Sequence, residues 1–307
     1  MSNLSKETIA EWFKGLQDNI CKSLEECDGK AKFQEDLWTR PEGGGGRTRV
    51  IQKGNVFEKG GVNFSAVEGK LPEKIKEALK LPDAYFFASG VSIVIHPNSP
   101  EVPIIHMNVR YFEIAKDPEF KENITYWFGG GIDLTPHYIN KDQSSFFHNQ
   151  LKSACDSTDE SYYDEFKKWA DDYFFIKHRK ETRGVGGIFF DRLNEESRGL
   201  SKEAIFELVK NVGNTFAPTY VKIVNENKSL SYGEEEKRWQ KIRRSRYVEF
   251  NLVYDKGTKF GLDTDGRIES ILMSLPLETG WEYNPQFEAG SREQETLDLL
   301  VKGIDWV

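Results

Sequence analysis

Two segments with alternating side chains constrain the fold of this 307-residue chain more than any other feature. Residues 91–96 and 104–112 carry apolar side chains at every second position, and a proline-rich stretch separates them. Because successive side chains of a β-strand point to opposite faces of a sheet, this period predicts two neighbouring strands. A third strand is predicted over 125–128, just before the glycines at 129–131. Strands linked as hairpins indicate an antiparallel sheet.

The remaining segments supply helices and further strands. Apolar residues at helical spacing predict helices over 5–27, over 159–182 and from Ser201 onward. Ser5 is the expected N-cap of the first helix. Pro218 is expected to interrupt or restart the third helix. Strands are predicted at 33–39 and 187–190. A hairpin of 247–254 and 258–262 should follow, then a strand or helix near 268–273. We expect an α+β fold with one domain over 1–307: a large, mainly antiparallel sheet with helices on both faces.

Residues Gly43 to Gly46, followed by Arg47, form a glycine run. A phosphate-binding loop is excluded because no Gly-Lys-Ser/Thr follows and no helical pattern begins there. Two interpretations stay open, a mobile loop that brings Arg47 to a ligand and an ordinary surface loop.

Charge and composition narrow the classes of partner and location. The net charge of -8 argues against nucleic-acid binding, and the arginines of the second half suit an anionic small molecule better. The 21 Phe, 12 Tyr and 7 Trp residues fill a core and can also line a pocket for a flat ligand. Three cysteines without a CxxC pair indicate a reducing compartment, and no stretch approaches the roughly 18 apolar residues of a transmembrane helix. We expect a cytoplasmic protein.

The strand 104–112 carries an unusual polar face. Its alternation places His106, Asn108 and Arg110 on one side, and Ser92 and His96 share a face in the neighbouring strand. Such groups are costly to bury unless something bonds to them. The pattern therefore fits either a ligand with carboxylates and hydrogen-bonding groups or an edge strand whose polar face meets water.

Two further sets of residues are candidates for chemistry. Asp133 follows three glycines, which suits a carboxylate beside a closely approaching ligand, although Asp133 with Thr135-Pro136 also resembles a helix start. All five histidines lie between 96 and 178, which suggests a metal, but none of their spacings is typical of a zinc site.

A charged, glycine-rich motif covers 177–191. His178, Arg179, Glu181 and Arg183 precede Gly184, Gly186 and Gly187, at what is predicted to be the end of a helix. Cations there gain from the helix dipole, and arginine binds carboxylates in a bidentate manner. Structural and ligand-binding roles both fit.

This motif also carries a resemblance. Lys168-Trp169, Tyr173 to Phe175, His178-Arg179, Glu181, Arg183-Gly184, Gly186-Gly187 and Phe189-Phe190-Asp191 are similar to the signature of the oxygen-dependent coproporphyrinogen III oxidases, and similarity continues at 58–63, 127–136, 213–214 and 246–283. Ala170 stands where the family usually has Cys, which makes that position look like packing. Neither a non-catalytic porphyrin carrier nor a histidine-bound metal hydrolase would explain this motif.

The resemblance implies an activity in heme biosynthesis. The family's enzymes decarboxylate coproporphyrinogen III oxidatively to protoporphyrinogen IX, converting two propionates to vinyls with O₂ and releasing CO₂ and H₂O₂. It also implies a homodimer, with 247–283 as the dimerisation region.

By position, the resemblance assigns roles to single residues. His106 looks like the proton-transfer residue and Asp133 like the carboxylate that engages pyrrole N–H groups. The implied substrate contacts are Ser92, Asn108, Val109, Arg110, Asp265, Gly266 and Arg267.

No organic cofactor is expected beside O₂, which agrees with the lack of a dinucleotide fingerprint or an iron–sulfur cysteine spacing. The resemblance also implies that bacterial-type members bind a divalent metal. Its ligands would be at His96, His106, His148 and His178.

Overall fold

The computed structural model describes residues 4–73, 76, 77, 80, 81, 83–263 and 266–307. The helices are α1 (Lys6–Asp28), α2 (Lys141–Asp156), α3 (Tyr162–Tyr173), α4 (Glu195–Arg198), α5 (Lys202–Asn227), α6 (Glu234–Val253), α7 (Lys256–Asp263), α8 (Ile268–Leu272) and α9 (Arg292–Asp298). The strands are β1 (Gln34–Thr39), β2 (Gly44–Gln52), β3 (Phe57–Lys70), β4 (Tyr85–Pro97), β5 (Ile104–Ala115), β6 (Asn123–Thr135), β7 (Phe175–Ile176), β8 (Glu181–Thr182) and β9 (Gly186–Leu193).

A seven-stranded antiparallel sheet forms the centre, in the order β1-β2-β3-β4-β5-β6-β9. The first six strands follow one another as hairpins, and the helical excursion through α2 and α3 returns the chain to the edge as β9. This confirms the predicted α+β class and the mainly antiparallel sheet.

One face of the sheet holds the main core. The odd-numbered residues of β4 and β5, such as Ile93, Met107 and Val109, are buried with the apolar faces of α1, α2 and α5. Helix α1 begins after Ser5, whose hydroxyl accepts from the Thr8 N–H, and ends at Gly29 in the left-handed region, as expected from the sequence. Burial of these side chains is the main source of stability for such a layered fold.

The opposite face holds the even-numbered residues and is covered by α6 and α8. Tyr247 of α6 packs on Val94 and Ile104, and Met273, just after α8, lies against Gly61. Helices therefore lie on both faces, as predicted.

Several local predictions were wrong. Residues 44–52 form strand β2 rather than a loop, and Arg47 bonds to Asp18 and Gln17 of α1. The helix predicted to reach 182 ends at Tyr173, because 175–182 form the small β7–β8 hairpin. Asp133 lies inside β6 and caps no helix.

Two errors concern longer segments. Helix α5 continues through Pro218, because its buried face from Ile205 to Val224 packs along the core and outweighs the roughly 3 kcal/mol cost of an internal proline. The hairpin predicted at 247–262 is helical, with 247–253 completing α6 and 256–263 forming α7. Within the part of the chain that the structure describes, no helix is long and apolar enough to cross a membrane.

Candidate active site

A shallow groove lies in the middle of the sheet face that α6 and α8 leave partly open. Across the strands, Asn108 lies between Ser92 and Gly131, and Arg110 lies between Gly90 and Gly129. These six residues define the central groove. Its polar side chains all stand on β4 and β5, and the glycines on either side contribute no side chain to the groove.

One end of the groove is bounded by a buried chain of charges. His106 lies next to Asp133 in the sheet register, and its Nδ1 is 2.8 Å from Asp133 Oδ1. Arg183 donates to the same carboxylate from Nη2 to Oδ1 at 2.6 Å and from Nε to Oδ2 at 3.2 Å. Asp133 and Arg183 are 1% and 2% exposed, whereas the His106 side chain is 20% exposed.

Aromatic rings enclose the Arg183 guanidinium. It lies 4.4 Å from the ring centre of Phe174, 4.7 Å from Tyr247 and 4.6 Å from Phe250, and its Nη1 donates to Asn251 Oδ1 at 2.9 Å. Cation–π contacts of this kind strengthen where water is excluded. The arginine is therefore fixed in position by its surroundings, and it fixes Asp133 in turn.

The charge state of Asp133 follows from these contacts. Burial raises the pKa of the carboxyl group, but Arg183 and the hydrogen bond with His106 outweigh that effect and hold the pKa below its usual value. Since the ionised carboxylate only accepts hydrogen bonds, His106 must carry its proton on Nδ1. Its Nε2 makes no hydrogen bond to a described residue.

Arg110 is the cation within the groove itself. Its Nη1 donates to Asn108 Oδ1 at 2.8 Å, and its Nη2 donates to Asp191 Oδ1 of β9 at 2.9 Å. The side chain remains 35% exposed, so its guanidinium group is accessible to a bound carboxylate. A ligand carboxylate would share or displace Asp191.

An aromatic platform borders the other end of the groove. Phe112, two residues beyond Arg110, stacks on Trp127 with ring centres 4.5 Å apart and on Phe86 at 5.7 Å. Phe112 and Trp127 are partly accessible. Flat aromatic surfaces beside hydrogen-bonding groups are typical of pockets for planar ligands.

The other predicted substrate residues lie in different surroundings. The Val109 side chain is buried in the main core on the opposite face, so only its backbone meets the neighbouring strands β4 and β6. Arg267 forms an ion pair with Asp36 of β1. The segment with Gly266 and Arg267 lies on the groove side, because Ser270 contacts Asn63, whose register partner is Ser92. Asp265 lies outside the described residues.

The four histidines implied as metal ligands do not form one cluster. His96 Nε2 bonds to the Ser274 carbonyl, His148 bonds to Tyr163 and to the Val185 carbonyl, and His178 bonds to Tyr254 and Glu249. Only His106 borders the groove. Among the described residues, no group of three or more His, Cys, Asp or Glu side chains is arranged to hold a metal ion, so the implied ligand set does not fit this chain's geometry.

Sequence reasoning missed the partners of the predicted residues. The sequence left structural and ligand-binding roles open for Arg183, and the structure pairs it with Asp133. Asp191 was noted only as part of the family motif, and Asn251 and the Phe112–Trp127 pair were not singled out. The alternation in 91–96 also extends back to Gly90, and that spacing could have indicated the glycine side of the groove.

The family model and the curated relatives that this chain resembles carry descriptions that agree. Residues 8–306 match the family model described as coproporphyrinogen III oxidase. The chain is 50% identical over 305 residues to the Drosophila melanogaster oxygen-dependent coproporphyrinogen-III oxidase, covering 95% of this chain and 76% of the relative. It is 50% identical to the mitochondrial oxygen-dependent coproporphyrinogen-III oxidase of Rattus norvegicus (95% and 66%). It is 46% identical to the oxygen-dependent coproporphyrinogen-III oxidase of Synechococcus sp. strain CC9902 (99% and 88%).

Proposed function

The chain belongs to the coproporphyrinogen III oxidase family, and from that premise we propose that its central groove binds coproporphyrinogen III beside His106. The protein is an oxygen-dependent oxidoreductase that forms protoporphyrinogen IX. For each of two propionates the balanced change is R–CH₂–CH₂–COO⁻ + O₂ + H⁺ → R–CH=CH₂ + CO₂ + H₂O₂. The observation that carries the site assignment is the partly exposed His106 held by the buried Asp133–Arg183 pair.

Substrate binding would use the polar middle of the groove and the aromatic platform at its end. A propionate would bond to Arg110 and Asn108, and a pyrrole ring would lie against Phe112 and Trp127. Bidentate arginine–carboxylate pairing gives orientation as well as affinity. The predicted contact through Ser92 fits this arrangement, because Ser92 and Asn108 share one row of the sheet.

Proton exchange would take place at His106 Nε2. Neutral imidazole with Nδ1–H directed at Asp133 leaves Nε2 as a base, and the carboxylate stabilises the imidazolium that forms. The ionised pyrrole or pyrrolic intermediate would then react with O₂ in the groove.

This geometry changes the role that we propose for Asp133. Both carboxylate oxygens already accept hydrogen bonds, from His106 and Arg183, and the side chain is only 1% exposed. Asp133 would therefore orient His106 and stabilise its charge, and it would not meet the pyrrole N–H groups directly.

We also propose that O₂ reacts directly with the substrate, without an organic cofactor. The electron-rich porphyrinogen supplies the electrons that reduce O₂ to H₂O₂. In the same way we propose a cytoplasmic location, supported by three cysteines that are all free and buried.

A homodimer through 247–283 is the remaining proposal. Seven large apolar side chains of this segment are exposed in the single chain: Leu252, Val253, Leu262, Ile268, Leu277, Trp281 and Tyr283. A concentration of this kind is typical of an interaction surface.

The test of the function is turnover of coproporphyrinogen III with simultaneous measurement of O₂ uptake and vinyl product, with and without a chelator. The parent protein should consume one O₂ for each CO₂ released and stall without O₂. His106→Asn should lower kcat by about 10²–10⁴-fold while binding persists. Product formation at the parent rate by His106→Asn, or binding without any O₂ uptake by the parent, would contradict the proposal.

A further inference from the structure

A second concave site lies on the flank of α6, away from the central groove. It is a cleft of about 230 Å³ between α6, the β7–β8 hairpin and the segment 284–297. Its basic lining consists of Arg179, Arg243 and Arg246, and its apolar lining includes Trp239, Ile242 and Phe287. We call it the arginine cleft. None of its lining residues belongs to the central groove or to the His106–Asp133–Arg183 chain.

The arginines of the cleft are only partly satisfied. Arg243 donates from Nη1 to Glu181 at 2.9 Å, and its Nε and Nη2 have no partner among the described residues. Arg246 donates from Nη1 to the Ser245 hydroxyl at 2.8 Å and reaches Glu249 only at 3.4 Å. The residues Arg243 and Arg246 are 3% and 7% exposed.

Positive charge exceeds negative charge around the cleft. Three guanidinium groups face two carboxylates, Glu181 and Glu249, and Glu249 is already engaged by both Arg179 and His178. Burial, followed by the charge of Arg179, lowers the pKa of Arg246. Guanidinium groups that line a cleft with free donors can bind an anionic partner there.

We propose that the arginine cleft binds a small carboxylate that carries an apolar body. The carboxylate bonds to the free edges of Arg243 and Arg246, for which the fork geometry of guanidinium is suited. The apolar body lies against Trp239, Ile242 and Phe287, which is why a carboxylate with a ring or short chain fits this site better than inorganic phosphate. The inference does not depend on the catalytic assignment, since the two sites share no residue.

The probe is 3-phenylpropionate, titrated calorimetrically into the full-length protein, with 3-phenylpropionamide as the neutral match and inorganic phosphate as a second comparison. One saturable site should appear for the carboxylate, with at least tenfold weaker binding of the amide and of phosphate. Arg246→Gln should weaken carboxylate binding at least tenfold. The matched control is Arg238→Gln on the same helix, because Arg238 pairs with Glu282 outside the cleft; it should bind as the parent does.

Arg110→Gln separates this site from the central groove. Binding that survives Arg110→Gln and is lost in Arg246→Gln supports the proposal, whereas the reverse pattern assigns the probe to the groove and overturns it. Equal binding by amide and carboxylate, or parent-like binding by Arg246→Gln, also overturns it.

A measurement on the unmutated protein guards against a misfolded variant. With isoleucine methyl labelling, saturation with the probe should shift the Ile242 methyl signal and leave Ile104, beside the groove end, unchanged. An unchanged Ile242 signal at saturation contradicts the proposal whatever the variants do.

Discussion

At the scale of single residues, the site depends on one carboxylate with two partners. Asp133 is nearly inaccessible, so water does not screen its interaction with His106. Arg183 balances the negative charge of the carboxylate. A histidine held in this way keeps one tautomer and one orientation. The electrostatic support of His106 thus depends on Arg183, which lies 50 positions after Asp133 in the chain.

Asp133→Asn should separate orientation from charge. The amide can still accept from His106 Nδ1, but it no longer stabilises the imidazolium, and Arg183 becomes a buried charge without a counterion. We expect kcat to fall about 10²–10⁴-fold, with little change in KM, and the free energy of unfolding to fall by about 3–5 kcal/mol.

Steady-state kinetics and urea unfolding provide both values. A fold-neutral comparison is Asp133→Asn combined with Arg183→Met, which removes the unpaired cation. The double variant should recover stability and remain slow. Parent-like kcat in either variant would remove Asp133 from the mechanism.

Arg110→Gln tests substrate binding within the groove. Since Arg110 is the partly exposed guanidinium there, its loss should raise KM at least tenfold and change kcat less. Arg49→Gln is the matched control, because Arg49 pairs with Glu35 and Asp18 on the other side of the sheet. A KM that is unchanged in Arg110→Gln, or raised equally by both variants, would contradict the assignment.

The sequence predicted part of this site. Alternation alone showed that His106, Asn108 and Arg110 share a face, because the period of a strand is local information. It did not show that Arg183 meets Asp133 or that Asp191 meets Arg110, since both pairs form only when β9 closes the edge of the sheet. Non-local pairing is fixed by tertiary structure.

At the scale of elements, α6 shows why a local pattern can mislead. Residues 247–254 are rich in aromatic and β-branched side chains and fit a strand, yet 247–253 form the last two turns of a helix. Tyr247, Phe250 and Asn251, at i, i+3 and i+4, all contact Arg183. Packing around that arginine and the helix that precedes it outweigh local strand propensity.

The pairing of β6 with β9 requires a glycine at 187. Gly187 lies opposite Asp133, and a Cβ there would come within 1.9 Å of the Ile132 carbonyl oxygen. Gly187→Ala must therefore displace the edge strand. We expect a loss of at least about 2 kcal/mol in unfolding free energy, together with reduced kcat, because Asp133 would move.

Gly15→Ala is the control for this substitution. Gly15 lies in α1 with no atom within 4 Å of the added Cβ, so alanine should stabilise the protein by up to about 1 kcal/mol. Thermal unfolding of both variants decides the matter: equal effects would show that space at position 187 is not limiting.

At the scale of the whole molecule, exposed apolar residues concentrate in 247–283, whereas the sheet edge at β1 exposes Leu37 alone among large apolar side chains of that strand. If the segment forms the dimer interface, light scattering should give the parent twice the mass of the monomer. Ile268→Asp should shift it toward the monomer, because a charge is introduced into buried apolar contact. Leu37→Asp, at an exposed position outside the segment, should leave the mass unchanged; a monomeric parent would refute the interface.

The buried histidines determine how the whole fold responds to acid. Burial lowers the pKa of His96 to about 3 and of His148 to about 4, and it lowers that of His137 well below the ordinary value. In the unfolded chain each has a pKa of about 6.5, so below that pH the unfolded state binds more protons than the folded state. Their contribution to stability is therefore complete above pH 6.5 and is lost as the pH falls.

Between pH 7.5 and 5.5 this linkage should cost about 1 kcal/mol for each histidine that stays neutral in the fold. Thermal unfolding followed over that range, with a chelator present, should show a steadily falling Tm. Glu249 loses its stabilising effect only at much lower pH. Burial raises the pKa of its carboxyl group, but the hydrogen bonds from Arg179 and His178 outweigh burial and bring that pKa down to about 2. His137→Gln should flatten the decline by about one histidine's share, because the buried ring that must gain a proton on unfolding is gone. A Tm that is constant from pH 7.5 to 5.5 would mean that these rings are protonated in the fold, which their enclosure makes costly.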